Sequence, residues 1–381
     1  MTTVYSNAKV FTADPANEWA EAFVVDGRTL SYVGETAGAD AAAADGASVV
    51  DLGGRVVLPG FTDAHTHLLH TGFALAKVGL TDARTLGAIQ ERLAAARAAD
   101  PGAPRLLGRG WLFDSLPGAP TAEMIDAVVA DVPVYLDAND YHSCWVNSAA
   151  LAELGITRNT PDPIGGRIGR DGAGEPNGIL YETAAQQYAW TRLDELTTDA
   201  DRDAAVERTL AAYVATGVTG VVDMSFGELD LAAFRRAAER RGGRLPIRVV
   251  AHWFVANTGD DDANLAQVRR AAELAGEVDS AWLRVAGIKL VLDGVIDACT
   301  AAMRHPYADG SNAEPIWPLD RLRPVVAAAD AAGLQVAMHA IGDLASDIAL
   351  EAIEHAHDVN GERERRHRIE HLEYAAPGTA E

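Results

Sequence analysis

Cysteine is scarce in this chain: two in 381 residues, Cys144 and Cys299. They lie far apart and match neither a disulfide framework nor a metal-ligand spacing, so both read as buried free thiols in a reducing compartment. Basic charge is also short, with 32 Lys and Arg against 55 Asp and Glu and a formal charge of -23. Such a surface repels polyanions, which argues against nucleic acid or an anionic membrane as a partner. Long apolar runs are missing too. No stretch of about 18 uninterrupted apolar residues occurs, and the opening M-T-T-V-Y-S-N-A-K-V-F-T-A-D lacks the basic start and apolar core of a signal peptide. These absences lead to the expectation of a cytoplasmic protein.

What is present is a globular composition, 48% apolar and 23% charged. At this length a large core can be buried, and a big barrel with appendages or two domains is the starting expectation. Up to residue 56 the pattern is of short β runs, Thr3 to Thr12, Ala22 to Val25, Leu30 to Val33 and Ser48 to Leu52, with Asp26-Gly27 and Gly53-Gly54 as turns. Ala39 to Ala44 reads as an exposed loop. From residue 57 the texture changes to apolar runs, each followed by an Ala-rich amphipathic stretch, as parallel strands with crossover helices require. The strand candidates are Val57 to Ala64, Val218 to Met224, Ile247 to Trp253, Leu283 to Leu292, Leu334 to His339 and Arg368 to His371. Between the first two lies a segment of about 72–199, rich in Gly, Pro and Asp, with a hairpin-like piece around Gly165 to Asp171. It reads as an insertion over the barrel mouth, since barrels are decorated at the C-terminal ends of their strands.

The strongest local signal is V-L-P-G-F-T-D-A-H-T-H, an apolar strand ending in His65-x-His67. Strand residues two apart share a side, so both imidazoles can converge on one ion. Lys289 lies within G-I-K-L-V-L-D-G, where an unpaired ammonium is costly to bury. Two explanations stand side by side: a salt bridge to an unseen carboxylate, or a neutral amine that reacts with carbon dioxide to form a metal-ligating carbamate. His339 ends L-Q-V-A-M-H and His371 ends R-I-E-H, each again at the close of a candidate strand. One such histidine is usually a packing or cap residue; four with a lysine, all at strand ends, point to a metal site at a barrel mouth. Asp293 reads as a turn anchor and Asp343 as a helix cap. His252, His305, His355 and His357 show no comparable context.

Taken together, the chain resembles the amidohydrolase superfamily, in particular the amidohydrolase-3 branch of YtcJ-type hydrolases. The matching pieces are residues 57–67, G-R-G-W at 108–111, D-P-I-G-G-R-I and G-E-P-N-G-I-L-Y-E between 162 and 182, G-I-K-L-V-L-D-G at 287–294, H-A-I-G-D at 339–343 and H-R-I-E-H at 367–371. The resemblance implies an α/β fold, a distorted TIM-type (β/α)8 barrel with a small β-sandwich built partly from residues 1–56, and the barrel occupying residues 57–381. It implies one or two divalent ions, zinc foremost with iron or manganese as alternatives, held by His65 and His67 from strand one, carbamylated Lys289 from strand four, His339 from strand five and His371 from strand six. A small-molecule substrate follows, an amide, formamide or cyclic amide whose non-peptide carbon-nitrogen bond is hydrolysed by metal-activated water. Glu182 is the candidate for proton transfer, and Trp111 and His142 (in Y-H-S-C-W-V-N-S) resemble pocket-lining positions.

The sequence departs from the pattern in one respect. The family continues through strands seven and eight and delivers an aspartate from strand eight, whereas this sequence ends at Glu381 after the sixth candidate strand. A fragment, a natural truncation and a partner-completed barrel are the readings this leaves, and open strand edges would encourage homo-oligomers. The rivals to a hydrolase are a catalytically inactive remnant and a Schiff-base enzyme using Lys289.

Overall fold

The structure is a computed structural model and describes residues 2–43, 46–139, 142–163, 166–296, 299–308 and 310–376. The chain divides into two compact units, one comprising Met1–Asp63 with Val214–Val221, the other Ala64–Tyr213 with Val222–Glu381.

The first unit is β-rich. Its strands are β1 (Thr2–Phe11), β2 (Trp19–Ala20), β3 (Ala22–Asp26), β4 (Thr29–Gly34) and β5 (Ser48–Val57). The sheet runs β2-β1-β3-β4, with β5 added in parallel beside β1. The residues expected as the exposed loop Ala39 to Ala44 belong instead, as far as Ala42, to the helix Thr36–Ala42, whose Ala39 is fully buried against Val4, Ala22 and Val24; Ala44 lies outside the described residues. A small methyl side chain facing the sheet is what lets this short helix sit close.

The second unit contains one sheet whole and most of another, of which residues 61–63 and 218–221 fall in the first unit. The segment expected as an insertion folds into β7 (Val78–Gly79), β8 (Leu106–Trp111), β9 (Val134–Ala138), β10 (Ser143–Val146), β11 (Gly166–Arg170) and β12 (Pro176–Glu182), numbered after the barrel strand β6 (Phe61–Thr66). They run β11-β12-β10-β9-β8-β7, with β7, β8 and β9 parallel and the others antiparallel. Alternation along β9 and β10 explains how the sheet buries both faces. Val134, Leu136, Ala138 and Trp145 enter one core with Leu80, Ile89 and Trp111, while Tyr135, Cys144 and Val146 enter another with Ile168 and Leu180. The expected hairpin near Gly165 to Asp171 is the β11–β12 pair; Gly165 itself lies outside the described residues. Cys144 is buried as expected, and Cys299 is only partly buried.

The other sheet is the parallel one: β6, β13 (Val218–Phe226), β14 (Arg248–Phe254), β15 (Leu283–Val291), β16 (Gln335–Ala340) and β17 (Arg368–His371), ordered β17-β16-β15-β14-β13-β6. Helices Glu228–Glu239, Asp261–Glu277, Leu319–Ala331 and Asp343–Asn360 connect successive strands. All six expected strands are present, the first shifted from Val57–Ala64 to Phe61–Thr66. Val57 instead closes β5 opposite Val10, and Pro59-Gly60 separates the two runs because proline cannot donate to a ladder. The sheet curls: its terminal strands β17 and β6 meet through side chains, Arg368 Nη2 donating to the Ala64 carbonyl (3.0 Å) and Glu370 Oε2 lying 2.6 Å from His65 Nδ1. This is a half-barrel of a distorted TIM-like kind. Its inner side is not purely apolar. His252, Lys289 and Glu370 are buried there, the charges of Arg368, Glu370 and Lys289 acting on His252.

Candidate metal centre

Each strand of the curled sheet that carries a candidate residue ends near it. His65 is the penultimate residue of β6, and His67 follows at the N-cap of the helix Leu68–Ala74. Lys289 lies two residues before the end of β15, His339 is penultimate in β16, and His371 is last in β17. Parallel pairing holds these ends level, with Val291 opposite His339 and Ala340 opposite His371. Gly287 permits the close strand approach, because a Cβ there would overlap the Gln335 carbonyl and crowd the His252 ring.

The curl gathers the rings. His371 stands 5.1 Å from His65 and 4.6 Å from His339 between ring centroids, and His65 stands 5.5 Å from His67 at near right angles. Lys289 is 3% exposed, and its charge acts on His67, His339 and His371. Among the described residues its ammonium has no hydrogen bond or ion pair, so the salt-bridge explanation for this lysine finds no support there. Burial lowers the amine to about 8, partly offset by the Glu370 carboxylate. Burial, reinforced by neighbouring cations, lowers His67 and His371 to about 4, although both keep solvent-exposed surface. Burial likewise lowers His339. At neutral pH these imidazoles are uncharged and carry a lone pair, the form a metal ligand needs.

Two rings are oriented by their neighbours. His65 Nδ1 faces Glu370, and His339 Nε2 donates to the Gly294 carbonyl at 3.0 Å. Asp293 does more than the expected turn: its buried carboxylate accepts from the backbone amides of Ala302 (3.0 Å), Ile341 (3.0 Å) and Gly342 (2.8 Å) and lies 3.4 Å from His339 Nε2. Asp343 is in the first turn of its helix rather than at the cap, which is Gly342, and its Oδ1 accepts from the Arg304 amide at 2.8 Å.

The remaining candidates lie in the inserted sheet. His142 and Glu182, 40 residues apart, form a pair: Nδ1 to Oε2 is 2.8 Å and the Glu182 amide donates to the His142 carbonyl at 2.7 Å. Trp111 is fully buried, its indole N–H donating to the Leu136 carbonyl at 2.9 Å and its ring packing on Phe113 and Trp145. Sequence reading passed over Glu370, Arg368 and Asp223. The last, 1% exposed and three residues before the end of β13, accepts from the Leu68 amide (2.8 Å) and so fixes the turn after His67; burial raises it to about 6. A carboxylate inside V-T-G-V-V-D-M-S-F was the available signal, as was Arg-x-Glu on one side of β17.

The fit to a divalent ion rests on this donor set. Ligating nitrogens 2.0–2.1 Å from a tetrahedral ion put ring centroids about 5 Å apart, close to the 4.6–5.5 Å seen. Among the described residues no three His, Cys, Asp or Glu side chains are already arranged to hold an ion; the rings are gathered at the right spacing without being converged.

The match to the Amidohydrolase family spans residues 48–381. This chain belongs to that family. Among similar proteins, the putative amidohydrolase YtcJ of Bacillus subtilis is 31% identical over 83% of this chain and 59% of its own length. The N-substituted formamide deformylase of Arthrobacter pascens is 30% identical over 91% of this chain and 65% of its own length. An uncharacterized metal-dependent hydrolase from Pyrococcus furiosus superposes with a TM-score of 0.78 at 28% identity, covering 99% of this chain and 74% of that one. This amidohydrolase chain thus spans less than two thirds of the length of those two curated relatives. Among its described residues no helix is long and apolar enough to cross a membrane.

Proposed function

We propose that this chain carries the metal-holding part of a cytoplasmic hydrolase that cleaves a carbon-nitrogen bond, other than a peptide bond, in a small amide, formamide or cyclic amide. The observation that carries the reading is the gathering of four imidazoles and a buried, unpaired lysine at the ends of four strands drawn from distant parts of the sequence. Family membership and the similarity to a formamide deformylase support the substrate class.

His65, His67, His339 and His371 would hold the ion or ions, with Lys289 joining them after its neutral amine has added carbon dioxide. Zinc is the first ion to test, with iron and manganese next, since imidazole accepts all three. Such an ion supplies Lewis acidity, activating water and polarising the scissile carbonyl. The chain's own residues position and protect. Gly294 and Asp293 hold His339, and Asp223 holds the turn after His67. We assign proton transfer to Glu182, steadied by His142, which also contacts substrate. Trp111 contributes from beneath, by supporting the half-exposed Phe113. In this reading residues 57–381 form the barrel part, residues 1–56 the small β domain, and the inserted segment of about 72–199 walls the mouth.

The test is elemental mass spectrometry on the 381-residue chain purified without chelator. Wild type is expected to carry close to one or two ions per chain, and His65→Ala and His67→Ala almost none. Full occupancy in either variant would sink the assignment.

A further inference from the structure

Glu370 lies beside His371 in H-R-I-E-H, on the same side of β17 as Arg368 and opposite His339 of the neighbouring strand. Its oxygens are held differently. Oε1 lies 2.7 Å from Arg368 Nε in an ion pair but takes no hydrogen bond, while Oε2 is 3.1 Å from Arg368 Nη2 and 2.6 Å from His65 Nδ1. The same guanidinium donates to the carbonyl of Ala64, the residue before His65. One Arg-Glu pair from the last strand of the sheet therefore grips the backbone of Ala64 and the ring of His65 in the first. The Arg368 guanidinium beside both oxygens favours the ionised carboxylate. An ionised carboxylate can only accept, so the shared proton belongs to the imidazole.

We propose that Glu370 is a positioning residue for His65: its carboxylate fixes the imidazole as the Nδ1–H tautomer, with the lone pair on Nε2, and sets the rotation of the ring. A neutral imidazole in water favours the opposite tautomer, so the protein has to impose this one. A carboxylate behind a ligating histidine fixes its tautomer and raises its basicity. That consequence rests on the reading of His65 as a ligand given above; the tautomer itself does not.

The experiment uses the metal-free chain labelled with 15N-histidine, at a mildly alkaline pH where imidazoles are neutral. Long-range proton-nitrogen correlation reads the tautomer of each ring, and the signal lost in His65→Gln assigns His65. Wild type is expected to show His65 protonated on Nδ1. In Glu370→Gln and Glu370→Ala the ring should shift towards Nε2–H. Zinc affinity, measured by competition with a chromophoric chelator, should fall about 10–100-fold in Glu370→Gln and recover in part in Glu370→Asp. An Nε2–H form in the wild type, or a tautomer unchanged in Glu370→Ala, overturns the proposal. The wild-type spectrum decides without any variant, so a variant that fails to fold does not block the test. A wild type with the Nδ1–H tautomer that Glu370→Ala abolishes, but without zinc affinity, would uphold Glu370 as the positioning residue and remove the metal reading instead.

Discussion

His371 holds a φ of +78° and Leu372, next in the chain, one of +50°; Glu182 holds +51°. Left-handed backbone costs a residue with a Cβ roughly 1–2 kcal/mol, and such conformations concentrate where side chains must be aimed. Two of the residues singled out from sequence thus carry strain that no local pattern announces. In the metal-free protein His371→Gly is expected to be more stable than His371→Ala by about 1 kcal/mol, the reverse of the usual order, because only glycine adopts this φ without cost. Urea unfolding of the two variants checks it. Lys289 allows a second test at this scale. Replacing a buried ammonium that lacks a partner with an apolar group of similar length should raise stability, so metal-free Lys289→Met is expected to unfold at higher urea than wild type. A lower midpoint would show that the ammonium is paired in solution. The need to explain Lys289 was legible in G-I-K-L-V-L-D-G, because a charge in an apolar strand is visible in the sequence; which explanation holds depended on what surrounds it.

Between elements, the start of β17 is pinned by Asp330, in the helix Leu319–Ala331. Its buried carboxylate meets Arg365 Nε (2.8 Å) and Nη2 (3.0 Å), Asn360 Nδ2 (2.8 Å) and His367 Nε2 (3.1 Å), while His367 Nδ1 accepts from the Val336 amide. Burial alone would raise this carboxyl, but the hydrogen bonds from Arg365, Asn360 and His367 hold it at about 2. A folded value below the unfolded 3.8 means stabilisation that is complete above about pH 4 and lost as the pH falls towards 2. Asp330→Asn should therefore cost about 3–5 kcal/mol at neutral pH, and the gap to wild type should narrow as the pH is lowered through that window, read by urea unfolding across a pH series. At the opposite ends of the strands Asp293 does comparable work. Asp293→Ala leaves three amides without their acceptor, and faster hydrogen exchange at Ala302, Ile341 and Gly342 is the expected result, with Asp293→Asn retaining part of the protection. The strands themselves were legible to within a few residues, because apolar runs and Pro-Gly breaks are local. The inserted sheet was not, since its strands of two to seven residues are too short to show a period and are defined by their partners.

Across the second unit, the parallel sheet has four strands flanked on both sides and two at its ends, β6 and β17. Its central ladders should be the last to open, so amide exchange is expected to be slowest in β14 and β15 and faster in β17, whose four residues have one ladder partner among the described residues. Uniform protection along all six strands would contradict this. The residues near each strand end were determined by the sequence alone: His65, His67 and His339 follow or close apolar runs, Lys289 lies inside one and His371 ends R-I-E-H, and such segments are decided by near neighbours. Their gathering was decided by the tertiary structure, because ring spacings depend on the order and curl of strands hundreds of residues apart. So were the orientation of His65 by Glu370, 305 residues away, the burial of Trp111 and the joining of His142 to Glu182. Sequence fixes which side chains a strand offers to each of its faces, but the distance between two strands exists only once the sheet has closed around them.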